Sequence, residues 1–196
     1  DFDHAAKVVQ VALGRTQKGA PRPTALQKKM GVSKESMLLS QERNMYLNRL
    51  GKHPNIPVVT MAHCGKDKGY AYIVLPRLGR SLREVFKAGG PLSRNNVAIV
   101  AAQLLDVLEH IHDRRGHIYR DIKPANIMFG TGEGPESERS RLYLIDYGCA
   151  ETKLQFDGLL KEDDVAGTPK YMSVDVQSGG TFGPKDDIIS LGYLLA

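Results

Sequence analysis

The chain has little with which to staple or anchor itself. Among its 196 residues are two cysteines, Cys64 and Cys149, too few for a disulfide framework, so a reducing compartment is the simpler reading. No apolar run approaches the roughly 18 residues of a membrane span, and no signal peptide opens the chain. The expectation from these absences is neither a disulfide-stapled secreted module nor a helical membrane protein. The expectation is a cytoplasmic or nuclear protein with no membrane partner. Acid is also missing in one place: GRTQKGAPRPTALQKKMGVSK, residues 14–34, contains none. Residues 1–120 carry 20 Lys+Arg and 9 Asp+Glu, net +11, while residues 121–196 carry 7 and 13, net −6. A basic stretch can meet nucleic acid or an acidic partner. No aromatic interleaves these charges to stack on bases, so we read a solvated loop and expect no nucleic-acid partner.

What is present suits a globular protein: 41% hydrophobic and 25% charged residues, enough for one large domain or two small lobes. HAAKVVQV (4–11) is small and β-branched and predicts a strand. Residues 12–35 read as a loop or insertion. Residues 33–50 predict a helix with Met37/Leu38, Met45, Leu47 and Leu50 as its apolar positions, Ser33 or Ser36 as cap and Gly51 as stop. HPNIPVVTMAHC (53–64) and GYAYIVLPRL (69–78) predict two strands joined by the turn GKDKG (65–69). The clearest helix is 93–116, where Val97, Val100, Leu104, Val107/Leu108 and Ile111 keep helical spacing and Gly116 closes it. NIMFG (126–130) and RLYLIDYG (141–148) read as short strands around a polar loop, and DDIISLGYLLA (186–196) as a buried helix. His110, His112 and His117 are expected at helix surfaces and ends rather than on a metal. The order is α+β in two unequal parts meeting near PRLGRS (76–81), with no internal repeat.

The chemistry concentrates in YRDIKPAN (119–126). Asp121, Lys123 and Asn126 fall within six residues, and Asp146 ends the apolar strand LYLI twenty residues later, followed by Gly148. Two acids and an amide are hard-oxygen groups suited to Mg²⁺ and phosphate oxygens. An acid beside a substrate hydroxyl can accept its proton, and a lysine can compensate charge on a phosphoryl group in transfer.

These residues resemble the eukaryotic protein kinase superfamily. YRDIKPAN resembles the catalytic loop H-R-D-x-K-P-x-N with Tyr119 in place of His, DYG (146–148) resembles D-F-G, and HPNIP (53–57) resembles the H-P-N-I run before the fourth strand. RLGRSLREVF (77–86), LLDVLEHIH (104–112), GTPKYMSVDVQ (167–177) and KDDIISLGYLL (185–195) are similar to casein kinase I and its vaccinia-related and tau-tubulin relatives. DYG and PRLG lean to the vaccinia-related branch and RDIKP to the other two, which leaves the branch open.

The resemblance implies a two-lobed kinase fold truncated at both ends, since the chain opens with Asp1 inside an expected third strand and stops in mid-helix. It divides residues 1–77, a partial N-lobe with the basic insertion, from residues 78–196, a partial C-lobe. It implies a monomeric protein Ser/Thr kinase using ATP and Mg²⁺ on protein substrates. Asp121 becomes the base and Lys123 the γ-phosphate contact. Asn126 and Asp146 become Mg²⁺ ligands, and Thr168 a groove residue bonded near Asp121. Asp187 braces the catalytic loop, Arg120 pairs with an anion or is structural, and Leu75 guards the back of the ATP pocket. Lys7 and Glu42 would be the nucleotide lysine and its partner, with Lys28 as runner-up for the lysine. Cys149 is expected as a small packed side chain. No Gly-rich phosphate loop is present, so a catalytically silent kinase-fold scaffold is the alternative. A small-molecule phosphotransferase is disfavoured by GTPKY, which serves a peptide groove in the resembling family. Glu151 and Asp163 stand where casein kinase I has lysines, leaving Lys170 and Arg120 as cations, so little preference for substrates phosphorylated upstream is expected.

Overall fold

The computed structural model describes residues 4–10, 34–51, 59, 61–67, 70–131, 139–152 and 167–196. Lys28, Ser33, Asp163, the HPNIP run and most of the basic stretch lie outside these residues.

The smaller part is an antiparallel sheet in the order β1-β3-β2, with β1 His4–Gln10, β2 His63–Asp67 and β3 Tyr70–Pro76. Lys7 pairs with Ile73, and Cys64 pairs with the same residue from the other side. Helix α1, Lys34–Asn44, covers the sheet. On the central strand Ile73 is at 0% exposure, as a β-branched residue between two ladders should be. Of the turn expected at residues 65–69, the first three residues are strand instead. Gly65–Asp67 complete β2 opposite Tyr72–Tyr70, because backbone pairing does not depend on the polarity of Lys66 and Asp67.

The larger part is mainly helical. Helix α2, Leu82–Gly89, starts in a capping box: Ser81 Oγ accepts from the Glu84 amide at 3.2 Å, and the Ser81 amide donates to the Glu84 carboxylate at 2.7 Å. Helix α3, Arg94–Glu109, is capped by Ser93, whose side chain accepts from the Asn96 amide. Leu104, Leu108 and Ile111 bury fully against Leu142, Leu144 and Leu191 in one core that extends to Ile73 and Leu39 of the smaller part. Each such side chain contributes about 1.5–3 kcal/mol of burial. Short pairs follow: β4 His117–Ile118 with β7 Glu151–Thr152, and β5 Ile127–Phe129 with β6 Leu142–Leu144. Helix α4, Val174–Gln177, precedes α5, Pro184–Leu195. Asp186 and Asp187 in the first turn of α5 are 0% exposed. A carboxylate buried this far needs donors, and Asp186 finds them in Ser173 Oγ at 2.5 Å and the Gly183 amide at 2.7 Å.

Three sequence expectations are corrected, two of them for one reason. Two helices end in π-turns, Met45–Arg49 after α1 and His110–Arg114 after α3. A π-turn widens the helix and rotates the following side chains off a 3.6-residue face. Leu47, expected on the apolar face, is therefore 50% exposed. His110 and His112, expected at helix surfaces and ends, do lie at the helix end but are buried there, as is His117 in β4. Each has a polar partner: Leu50 O at 3.0 Å for His110, Asp187 at 2.8 Å for His112 and Arg115 O at 2.5 Å for His117. Ser36 is no cap, because α1 already begins at Lys34; it sits buried inside the helix, and its carbonyl accepts from Ser40 Oγ. Among the described residues no helix is long and apolar enough to cross a membrane.

Candidate active site

The loop after β4 is shaped by a single buried acid. Asp187 accepts the Tyr119 amide at Oδ2 and the Arg120 amide at Oδ1, both at 2.8 Å, while His112 Nε2 lies 2.8 Å from Oδ2. Arg120 takes φ +70°, a left-handed conformation that costs a non-glycine residue about 1–3 kcal/mol. The two amide bonds to Asp187 bracket that residue and hold it there. The expected bracing role of Asp187 is thus visible as geometry.

The turn delivers Asp121 into a dense set of donors. Its Oδ1 accepts from Thr168 Oγ1 at 2.7 Å, and its Oδ2 from Lys123 Nζ at 2.5 Å and Asn126 Nδ2 at 3.1 Å. Asn126 Nδ2 also reaches the Asp121 carbonyl at 3.1 Å, and Lys123 reaches Thr168 at 3.2 Å. Asp121 is 6% exposed, so these donors keep a buried carboxylate supplied. Thr168 comes from 47 residues away in the chain. Gly167 before it packs against the Arg120 carbonyl so tightly that a Cβ there would lie 2.4 Å from that oxygen.

A second group lies across a cleft of about 360 Å³ lined by Lys7, Glu42, Leu75, Leu78, Asn126, Met128, Ile145 and Asp146, among others. Lys7 Nζ sits 2.7 Å from Glu42 and 2.8 Å from Asp146. Glu42 is 1% exposed and Lys7 40%, and both pKa values move up. Burial lifts the Glu42 carboxyl more than Lys7 pulls it down. Burial lowers Lys7, but Glu42 and Asp146 together outweigh it. Asp146, like Arg120, has positive φ, +60°, and the two are the only non-glycine residues with positive φ among those described. Asp tolerates that region better than most residues.

Three tyrosines tie the two groups together. Tyr147 meets Tyr46 of the first π-turn edge-on at 5.4 Å and Tyr119 edge-on at 5.3 Å. Tyr119 Oη donates to Ile145 O at 2.5 Å. Gln41 of α1 donates to the Ala150 carbonyl. The helix carrying Glu42 is thereby fastened to the strand end carrying Asp146.

All eight residues singled out as catalytic or nucleotide-binding fall into these two adjoining groups, with Asn126 bonded to Asp121 and also lining the cleft with Asp146. Sequence reasoning missed Leu78, Met128 and Ile145 as cleft walls. Strand alternation carried the signal: Met128 stands two residues after Asn126, while Ile127 between them faces the core at 0% exposure. Asp146 and Asn126 supply hard oxygens that fit Mg²⁺ shared with phosphate oxygens. Since Asn126 commits its amide nitrogen to Asp121, Oδ1 is its atom for a cation. Among the described residues no three His, Cys, Asp or Glu side chains cluster to hold a metal by themselves. Cys149 is half-buried, and burial, followed by Asp121, raises its thiol pKa.

A small sheet thus presents a lysine–carboxylate pair across a cleft from a helical body that carries an Asp–Lys–Asn loop. The chain belongs to the protein kinase domain family, whose profile matches residues 8–196. It is 30% identical over 178 residues to a protein of Encephalitozoon cuniculi (strain GB-M1) named "Probable casein kinase I homolog", an overlap of 86% of this chain and 54% of that protein. The chain thus spans about half the length of this curated relative.

Proposed function

We propose that the chain is the catalytic part of a protein Ser/Thr kinase that uses ATP and Mg²⁺, with residues 1–77 and 78–196 as the two walls of its cleft. The observation that supports this best is the Asp121 carboxylate, held by Lys123, Thr168 and Asn126, the last of which lines a cleft together with Lys7 and Asp146. Bound ATP–Mg²⁺ supplies a transferable phosphoryl group. Asp121 orients the substrate hydroxyl and accepts its proton. Lys123, already beside Asp121, offsets negative charge where phosphate and hydroxyl meet. Lys7, steadied by Glu42, contacts phosphate, while Asp146 and the Asn126 oxygen hold the cation. Leu75, Leu78, Met128 and Ile145 give the cleft an apolar lining that fits a flat base.

Ser/Thr rather than Tyr specificity follows from Lys123 through the family resemblance. The substrates are proteins met in the cytoplasm or nucleus, and the enzyme acts as a monomer. Arg120 lies 2.6 Å from Glu151 and Lys170 lies over the Tyr171 ring at 5.5 Å. That pairing supports little preference for peptides phosphorylated upstream of the target. The test is transfer of labelled γ-phosphate to matched Ser, Thr and Tyr peptides across a Mg²⁺ titration, with Asp146→Asn alongside. The expected outcome is labelling of Ser and Thr peptides and a higher Mg²⁺ requirement in the variant. Nucleotide binding without transfer to any peptide would leave the scaffold alternative standing.

A further inference from the structure

The two π-turns end alike. Each runs through arginine into a glycine of positive φ: Arg49 and then Gly51 at +61° after α1, Arg114 and Arg115 and then Gly116 at +65° after α3. The two ends meet. The Leu50 carbonyl lies 3.0 Å from His110 Nε2, and the Arg115 guanidinium fills the space that a side chain at Gly51 would need.

This seam gathers positive charge and leaves part of it unmatched. Arg49 and Arg114 are exposed and Arg115 is half-buried. Among the described residues none of the three forms an ion pair, and Arg115 Nε is buried with no acceptor. Beside them His117, 4% exposed, donates through Nδ1 to the Arg115 carbonyl at 2.5 Å. Burial lowers the His117 pKa against the pull of that hydrogen bond, and the charges of Arg49 and Arg115 lower it further, so both act on one ring. Asp113 is the one carboxylate in either turn. On the strand paired with His117, Glu151 is already held by Arg120 at 2.6 Å. Cations at a helix C-terminus offset its carbonyls, about half a charge per helix. Two helix ends and one acid therefore balance about two of the three guanidinium charges. The remainder, with a buried donor that bonds nothing, describes a site that lacks its anion.

We propose that the seam between the ends of α1 and α3 is a phosphate-binding site, in which Arg49 and Arg115 hold one dianionic phosphate group, free or carried on a phosphorylated side chain. Planar guanidiniums match phosphate oxygens in pairs. The site shares no residue with the Lys7–Asp146 cleft. Helix α1 carries Glu42, and the turn after α3 leads into β4 and the Asp121 loop, so a phosphate held here links the elements that carry the two catalytic groups.

The experiment uses the full chain and reads melting temperature with chloride matched for ionic strength. The probes are inorganic phosphate, a neutral peptide bearing one phosphoserine, and the same peptide unphosphorylated. At ten times its Kd, phosphate should raise wild-type melting by about 4 °C. Arg115→Gln should weaken binding about tenfold and the exposed Arg49→Gln about threefold. Lys185→Gln removes an equal charge from α5 and should leave the gain in place. So should Lys7→Met, which tests whether the phosphate sits in the cleft instead. In a second reading, by NMR, sulfate should move the titration of the His117 ring to higher pH in the wild type and not in Arg115→Gln. A gain from inorganic phosphate assigns a free oxyanion and a gain from the phosphopeptide a phosphorylated side chain; either supports the site. No gain with either phosphate, an equal gain from the unphosphorylated peptide, a gain that survives Arg115→Gln, or one that disappears in Lys7→Met would overturn it and leave the arginines as helix-end charges. If Arg115→Gln does not fold, Arg49→Gln and the wild-type His117 titration decide. None of these readings needs turnover, so the outcome stands apart from the kinase reading.

Discussion

Asp121 finds two of its partners two and five residues along the chain, whereas Lys7 reaches Glu42 across 35 residues and Asp146 across 139. The difference in burial runs the same way. The Asp121 side chain is 7% exposed, but Lys7 and Asp146 are 40% and 39%. Asp121 therefore has its geometry set as soon as the loop closes over Asp187. The Lys7 group exists only while β1, α1 and the strand end before Tyr147 are docked together. One group is a fixture of the larger part of the molecule. The other reports how the smaller part sits on it, and half-exposed pairs of that kind are worth less and move more readily.

The most forceful way to break the comparison is Asp121→Asn. The amide keeps the shape of the loop but accepts no proton, so kcat should fall about 10²–10⁴-fold while nucleotide affinity stays close to wild type. A fall in affinity as large as the fall in kcat would mean that the loop, too, reports on the cleft.

Lys7→Met tests the other group and carries a pH signature. The expected cost is about 1–2 kcal/mol, below that of a fully buried pair because Lys7 is partly exposed. Burial already raises the Glu42 pKa above its ordinary 4.5. A raised carboxyl pKa stabilises the fold below the ordinary value, and that contribution is lost as pH climbs through the folded value. Removing Lys7 raises the folded value further and carries the loss to higher pH. Denaturant melts should therefore show the variant closest to wild type near pH 4.5 and furthest behind near neutrality. A gap that does not vary with pH would separate Glu42 from Lys7.

Tyr119→Phe is the mildest change. It keeps the buried ring and removes the donor to the Ile145 carbonyl, so stability should fall by about 1 kcal/mol with little change in turnover. A large loss of turnover would show that the hydroxyl, and not only the ring, couples the two groups.

What could be read from sequence follows the same division. The Asp121–Lys123–Asn126 spacing was legible because it is local, and the long helix because Val100, Leu104 and Ile111 keep one face. The reading failed at Leu47, His110 and His112, where π-turns rotate the face. A π-turn leaves no periodic trace in a window dominated by ordinary helix. The Lys7–Glu42 contact was reached only through family resemblance, since nothing local links a strand to a helix across a long basic stretch. The Arg120–Glu151 contact depends on a two-residue ladder, too short for any pattern to announce.

The edge-on column Tyr46–Tyr147–Tyr119 also gives the protein an optical property. The chain has eight tyrosines and no tryptophan, so no indole band masks phenol absorption. Three phenol rings held edge-on at 5.3–5.4 Å in fixed, asymmetric surroundings form a coupled chromophore. Its near-ultraviolet circular dichroism is a label-free gauge of whether the helix bearing Glu42 is seated on the strand end bearing Asp146.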